Sequence, residues 1–194
     1  MREAPAASRR GPAGHRFHSL ARDPAASGVG MTVRVRRAVP GDEAILRALR
    51  LEAMLDSPAA FGSTYAREQA RTIEDWQRWM SPGVTFLLYD RDHPRGLVAG
   101  SWENHQKDDD RLVYLMAMWV HPTLRGTGAA DALVASVLAW AAEQSAREVR
   151  LYIRKGNDPA RRCYERHGFR VTGRENVPGA DGFTEVEMTL LRGA

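Results

Sequence analysis

The chain has 194 residues, enough for one substantial domain and too few for three. Hydrophobic residues make up 43% and charged residues 27%, a globular balance, and the longest apolar run, Leu112 to Val120, is half the ~18 residues that a membrane-spanning helix needs. Cys163 is the sole cysteine, so neither an intramolecular disulfide nor a cysteine-based zinc centre can form; the expectation is a cytoplasmic protein without a metal.

The formal net charge is +4, but it is unevenly spread. Residues 1–30 hold five Arg against Glu3 and Asp23, which is +3, and this leaves +1 for residues 31–194. That remainder is too small to argue for a phosphate-binding face, so no nucleic-acid partner and no membrane partner are expected. Residues 1–30 are rich in Ala, Pro, Gly, Ser and Arg without apolar periodicity, and read as a disordered extension ahead of a domain over 31–194.

From Thr32 the pattern is regular. Val33 and Val35 suggest a strand ended by Pro40-Gly41, after which Asp42 can cap a helix to about Leu55. Asp56-Ser57-Pro58 breaks it, because proline disfavours helical geometry in the residue before it. Thr72 can cap a second helix carrying Ile73, Trp76, Trp79 and Met80, stopped by Ser81-Pro82-Gly83. Val84–Tyr89, Leu97–Asn104 and Leu112–Val120 read as an antiparallel meander, separated by Asp92-His93-Pro94 and by Lys107-Asp108-Asp109-Asp110. The third of these strands is apolar on both alternating faces, as a central covered strand should be. A helix then spans about Gly128 to Gln144, with a strand at Val149–Ile153 after it. Asp158 can cap a further helix that has Pro159 at its first position and Gly168 at its end. Phe169–Thr172 and Phe183–Leu191 supply the last strands. The order implies one α/β domain with a mixed sheet.

The chemistry is expected where strand 112–120 runs through His121-Pro122-Thr123-Leu124 into Arg125-Gly126-Thr127-Gly128-Ala129-Ala130. The first turn of a helix offers unpaired N–H groups and partial positive charge, glycine permits close approach, and Arg125 adds a fixed cation: the elements of an anion site. The turn lacks the Gly-Lys-Ser/Thr of a Walker loop and the third glycine of a dinucleotide fingerprint. About 30 residues later comes a second spaced pattern, Asn157, Ala160, Tyr164, Gly168 and Phe169, as N-x-x-A-x-x-x-Y-x-x-x-G-F.

Together the two segments resemble the GNAT superfamily of N-acetyltransferases. Arg125, Gly128 and Ala130 match its Arg/Gln-x-x-Gly-x-Gly/Ala position by position, and the likeness covers about residues 32–191. Leu49-Arg50-Leu51-Glu52-Ala53 and Asp56 to Gly62 look like one bacterial branch of it. The resemblance implies a mixed, mostly antiparallel central sheet with helices on both faces, its fourth and fifth strands splayed to hold acetyl-CoA. It implies cofactor contacts from Met118, Trp119 and Val120 at the end of the fourth strand, from Arg125, Gly126, Thr127, Gly128, Ala129 and Ala130 in the turn, and from Asn157 and Ala160. It implies Tyr164 as the acid that protonates the leaving thiolate. Residue pattern alone equally allows Tyr164 to pack, since Ala160, Cys163, Tyr164 and His167 share one helical stripe.

The implied reaction is direct transfer of acetyl from acetyl-CoA to a primary amine. A small-molecule acceptor is favoured over a protein N-terminus or lysine, and a non-catalytic acyl-CoA sensor is the rival from another class. The family's carboxylate on the fourth strand is missing here. Glu103 on the neighbouring strand is the first candidate base, with Glu52 or a relayed water as alternatives. Asp108–Asp110 reads as a solvated hairpin tip or as a lure for cationic amines. Trp76 and Trp79 read as core, and Cys163 as a small buried apolar residue. Relatives that dimerise through sheet edges leave a homodimer open.

Overall fold

The computed structural model describes residues 33–81, 83–102, 112–176 and 183–192. The expected extension 1–30, Glu103 and Asp108–Asp110 lie outside the described residues. Seven strands form one sheet: β1 (Val33–Arg37), β2 (Val84–Asp90), β3 (His93–Trp102), β4 (Leu112–Val120), β5 (Glu148–Arg154), β6 (Arg170–Asn176) and β7 (Glu185–Leu191). Their spatial order is β1-β2-β3-β4-β5-β7-β6, and every pair is antiparallel except β4 with β5. The helices are α1 (Glu43–Asp56), α2 (Tyr65–Gln69), α3 (Ile73–Met80), α4 (Ala129–Glu143) and α5 (Asp158–Arg166).

Successive side chains of a strand point to opposite faces, and the central strands use both. Leu87, Leu97 and Trp119 bury on the face covered by α1 and α3, beside Leu46, Leu49 and Trp76. Their neighbours Leu88, Val98 and Val120 bury on the other face, against Leu133, Val134 and Val137 of α4 and Tyr164 of α5. Helices therefore cover both faces at these positions, but β4 is not the covered strand its apolar run suggests: Met116 is 44% exposed and Tyr114, Ala117 and Met118 are half-buried. β6 closes the edge and is exposed along its whole length.

Several local expectations change. Asp42 stands at the α1 N-cap without capping it, because its carboxylate accepts instead from both Arg36 Nη atoms (2.6 and 2.8 Å) and from the Val39 N–H. The tie fixes the crossover from β1, and it holds the Asp42 carboxyl below the usual carboxylate range. Asn157, rather than Asp158, caps α5: its side chain accepts from the Ala160 N–H at 3.2 Å. The β2–β3 turn falls at Arg91-Asp92, with Arg91 at φ 54°, so β3 begins at His93. The short α2, capped by Thr64, was not legible as a helix.

Candidate active site

The site begins with a fault in the sheet. β3 and β4 pair Leu97 with Trp119 and Ala99 with Met116, so Ala117 and Met118 together face Val98, and Ala117 takes φ 57°. Such a bulge bends and twists its strand. On its other edge β4 pairs with β5 only at Leu112–Glu148, Val113–Val149 and Tyr114–Arg150. Beyond Tyr114 the parallel strands separate, and a cleft of about 610 Å³ opens.

One end of the cleft is the glycine turn. Pro122–Leu124 form a short 3-10 turn, and Gly126 and Gly128 then take φ of 77° and 88°. A glycine adopts this left-handed backbone without the steric cost a side chain would incur. The first intrahelical bond of α4 runs from the Ala132 N–H to the Gly128 carbonyl, so the preceding N–H groups have no partner within the helix. They carry the positive end of the helix dipole, and Arg125, Arg162 and Arg166 also line the cleft. This end can bind a polyanion.

Arg125 is anchored. Its guanidinium pairs with Asp56 at the end of α1, and its Nε donates to the Val120 carbonyl at 3.1 Å. The same Asp56 carboxylate accepts from Trp119 Nε1 at 2.9 Å. Asp56 loses solvation there, but the Ser57, Trp119 and Arg125 donors outweigh that and hold its carboxyl down at about 2. One carboxylate thus ties the helix end, the β4 end and the glycine turn together.

Tyr164 lines the cleft wall from α5, buried, with its ring edge-on to Phe169 at 5.7 Å. Burial pushes its phenol well above the usual tyrosine range, so it stays protonated at neutral pH. Cys163 beside it is also buried, and burial raises its thiol.

Of the cofactor contacts expected from sequence, Met118, Trp119, Val120, Arg125, Gly126, Gly128, Ala130 and Ala160 line this cleft together with Tyr164. Three others do not. The Thr127 hydroxyl turns back to the Leu124 carbonyl at 2.6 Å, Ala129 is buried in the core, and Asn157 is used as the α5 cap. Glu52, the alternative base, lies 3.4 Å from His121 Nε2 and is not part of the cleft wall. Sequence reasoning missed Ser57, Ala60 and Phe61, which reach the cleft from the loop after α1, and the Arg162–Arg166 pair. Only that pair carried a local signal, two cations one helical turn apart.

A second cavity, of about 340 Å³, adjoins the first. It shares Ala60 and Phe61 with it and borders the preceding segment of β4, Tyr114 to Ala117. Its carboxylates are Glu68 and Glu185, neither of which stood out in the sequence. Trp79, expected in the core, is half-buried and lines this cavity, whereas Trp76 is fully buried as expected.

The model of the acetyltransferase (GNAT) family matches residues 48–169, from the middle of α1 to the start of β6. The chain is similar to an uncharacterised N-acetyltransferase of Mycobacterium tuberculosis, 42% identical over 67 residues, which are 34% of this chain and 43% of that one. It is 30% identical over 132 residues to a mycothiol acetyltransferase of Brachybacterium faecium, covering 66% of this chain and 38% of that one. The chain thus spans less than half the length of these curated relatives. Among solved structures, a GNAT-family acetyltransferase from Streptococcus pneumoniae superposes with a TM-score of 0.71 at 21% identity, over 83% of this chain and 99% of that one.

Proposed function

Because the chain belongs to the acetyltransferase (GNAT) family, we propose that it transfers the acetyl group of acetyl-CoA directly to a primary amine of a small molecule. The observation that carries the reading is the parting of β4 from β5 after Tyr114, which opens a cleft running from the glycine turn to Tyr164. The substrate and the chain fit each other. The cations and free N–H groups at the α4 end suit the pyrophosphate, Gly126 and Gly128 keep space open above the turn, and the apolar wall along β4 suits the pantetheine arm.

The thioester supplies the electrophilic carbonyl. An amine of lysine type, with pKa ~10.4, must first lose a proton, at roughly 4.6 kcal/mol at pH 7. Carboxylates on the acceptor side are suited to receive it. Glu185 lines the second cavity; Glu103, the first candidate base read from sequence, lies outside the described residues. The main-chain N–H groups at the Met118–Val120 end of β4 are assigned to the developing oxyanion. Tyr164, a phenol protonated at neutral pH, donates its proton to the departing sulfur, and the products are the acetylated amine and free CoA thiol. The mycothiol acetyltransferase likeness supports a small-molecule acceptor.

The test is thiol release from acetyl-CoA across amines, polyamines, aminoglycosides and short peptides. Saturable release with a small amine is expected. Tight acetyl-CoA binding without release for any acceptor would overturn transfer in favour of an acyl-CoA sensor, and release with peptides alone would move the acceptor to a protein.

A further inference from the structure

The second cavity contains a charge that its surroundings do not satisfy. Arg50 of α1 lines it with its side chain only 6% exposed, and its Nε and Nη1 atoms are buried with no hydrogen-bond partner. Its Nη2 lies 3.5 Å from Glu68, itself buried at 1% exposure, but Glu68 makes its closer contact with Arg71, whose Nε stands 2.7 Å from Glu68 Oε2. Two guanidinium groups therefore share one carboxylate. Phe61 and Trp79 stand over the Arg50 guanidinium at 4.5 and 5.3 Å, which compensates its faces but not its in-plane N–H groups. Arginine does not shed its proton to escape such a site, so the missing element is an anion.

The position of the cavity says which anion. It meets the cleft at Ala60 and Phe61 and runs along β4 from Tyr114, the last residue paired with β5, to Ala117 at the β3–β4 bulge. A molecule seated there has one end where β4 parts from β5 and the other against Arg50. Resting on the transfer reading above, we propose that the acceptor is a small amine that also carries a carboxylate, with Arg50 as its carboxylate-binding residue and Arg67, on the same cavity wall, adding positive field. This departs from the cationic acceptor that Asp108–Asp110 would favour. A guanidinium held off balance between Glu68 and two aromatic rings selects for a substrate oxyanion and against a polyamine.

The experiment is thiol release from acetyl-CoA with the full chain, using amino acids each paired with its own carboxamide, and spermidine as the cationic control. The acid is expected to exceed its amide at least tenfold in kcat/KM, with the difference carried by KM. The Arg50→Gln/Glu68→Gln double variant, which neutralises both buried charges together, is expected to bring the ratio close to one while leaving the KM for acetyl-CoA unchanged. A purely structural Arg50 would lower stability without moving that ratio. Should the double variant not fold, Arg67→Gln on the exposed rim gives a partial, severalfold loss of the same ratio. Amides or spermidine turned over as well as the acids would overturn the proposal and leave acetyl transfer intact. Acetyl-CoA binding with release from none of these acceptors would overturn both.

Discussion

Asp56 is the residue whose loss separates a binding turn from a merely glycine-rich one. In Asp56→Asn the shape is kept and the amide oxygen can still accept from Trp119, but the ion pair with Arg125 is gone. The Arg125 side chain is 49% exposed, so its freed guanidinium is hydrated rather than stranded. Replacing charge-assisted bonds by neutral ones then costs about 1 kcal/mol, or roughly 2–4 °C in Tm for a domain of this size. Asp56→Ala also leaves the Trp119 indole N–H, on a side chain 4% exposed, without its acceptor. That raises the loss to about 3 kcal/mol and roughly 6–12 °C. The pH dependence follows from the sign of the shift. The folded carboxyl titrates at about 2, below its ordinary value, so its contribution is complete above about pH 4 and is lost as pH falls toward 2. Thermal melts of the wild type and Asp56→Asn should differ by the full amount at pH 7, by roughly half of it at pH 3, and should converge only as pH falls to about 2 and below. Acetyl-CoA should also bind the Asn variant more weakly, because the turn has lost its anchor. Equal melting temperatures at pH 7, or a gap that does not narrow in acid, would refute the account of this network.

Other outcomes are equally specific. Tyr164→Phe removes only the hydroxyl from a ring held by Phe169, so stability should change by less than about 1 kcal/mol while kcat falls roughly 10²–10⁴-fold in the thiol-release assay; unchanged kcat would remove Tyr164 from the mechanism. Gly128→Ala meets nothing within 4 Å, so its cost is backbone strain alone at φ 88°, about 1–2 kcal/mol by denaturant melt, together with a raised KM for acetyl-CoA. Asn157→Ala removes the α5 cap and should cost about 0.5–2 kcal/mol in the same melts, with the acetyl-CoA KM little altered because Asn157 does not line the cleft.

Element type and order were readable because they rest on local rules. The Thr72 cap, the glycine turn before α4, the proline opening α5 and the apolar run of β4 act over a few residues, and the structure keeps each of them. Of the two spaced motifs, Arg125, Gly126, Gly128 and Ala130 from the first and Ala160 and Tyr164 from the second lie on the wall of one cleft. What sequence misjudged were choices between equally local partners. Asp42 could cap its own helix or bind Arg36, and the part-buried bidentate pair won. Asn157 and Asp158 were both competent caps, and backbone geometry selected the first.

The rest was not local at all. Asp56 meets Trp119 and Arg125 across 63 and 69 residues of chain, and no periodicity encodes that meeting. The parting of β4 from β5 after Tyr114 and the bulge at Ala117 are both concealed by an unbroken apolar run. In the sequence Arg50 figures only as part of a family-like stretch, and it is a buried, unsatisfied cation because α2 and α3 close over it with Glu68 and Trp79. Sequence by itself determined the fold and the glycine turn at one end of the cleft, because hydrogen-bond geometry and apolar spacing are properties of neighbouring residues. Tertiary structure alone decided the second cavity, proposed above as the acceptor end, because desolvation and the sharing of one carboxylate by two guanidinium groups exist only once distant segments are packed together.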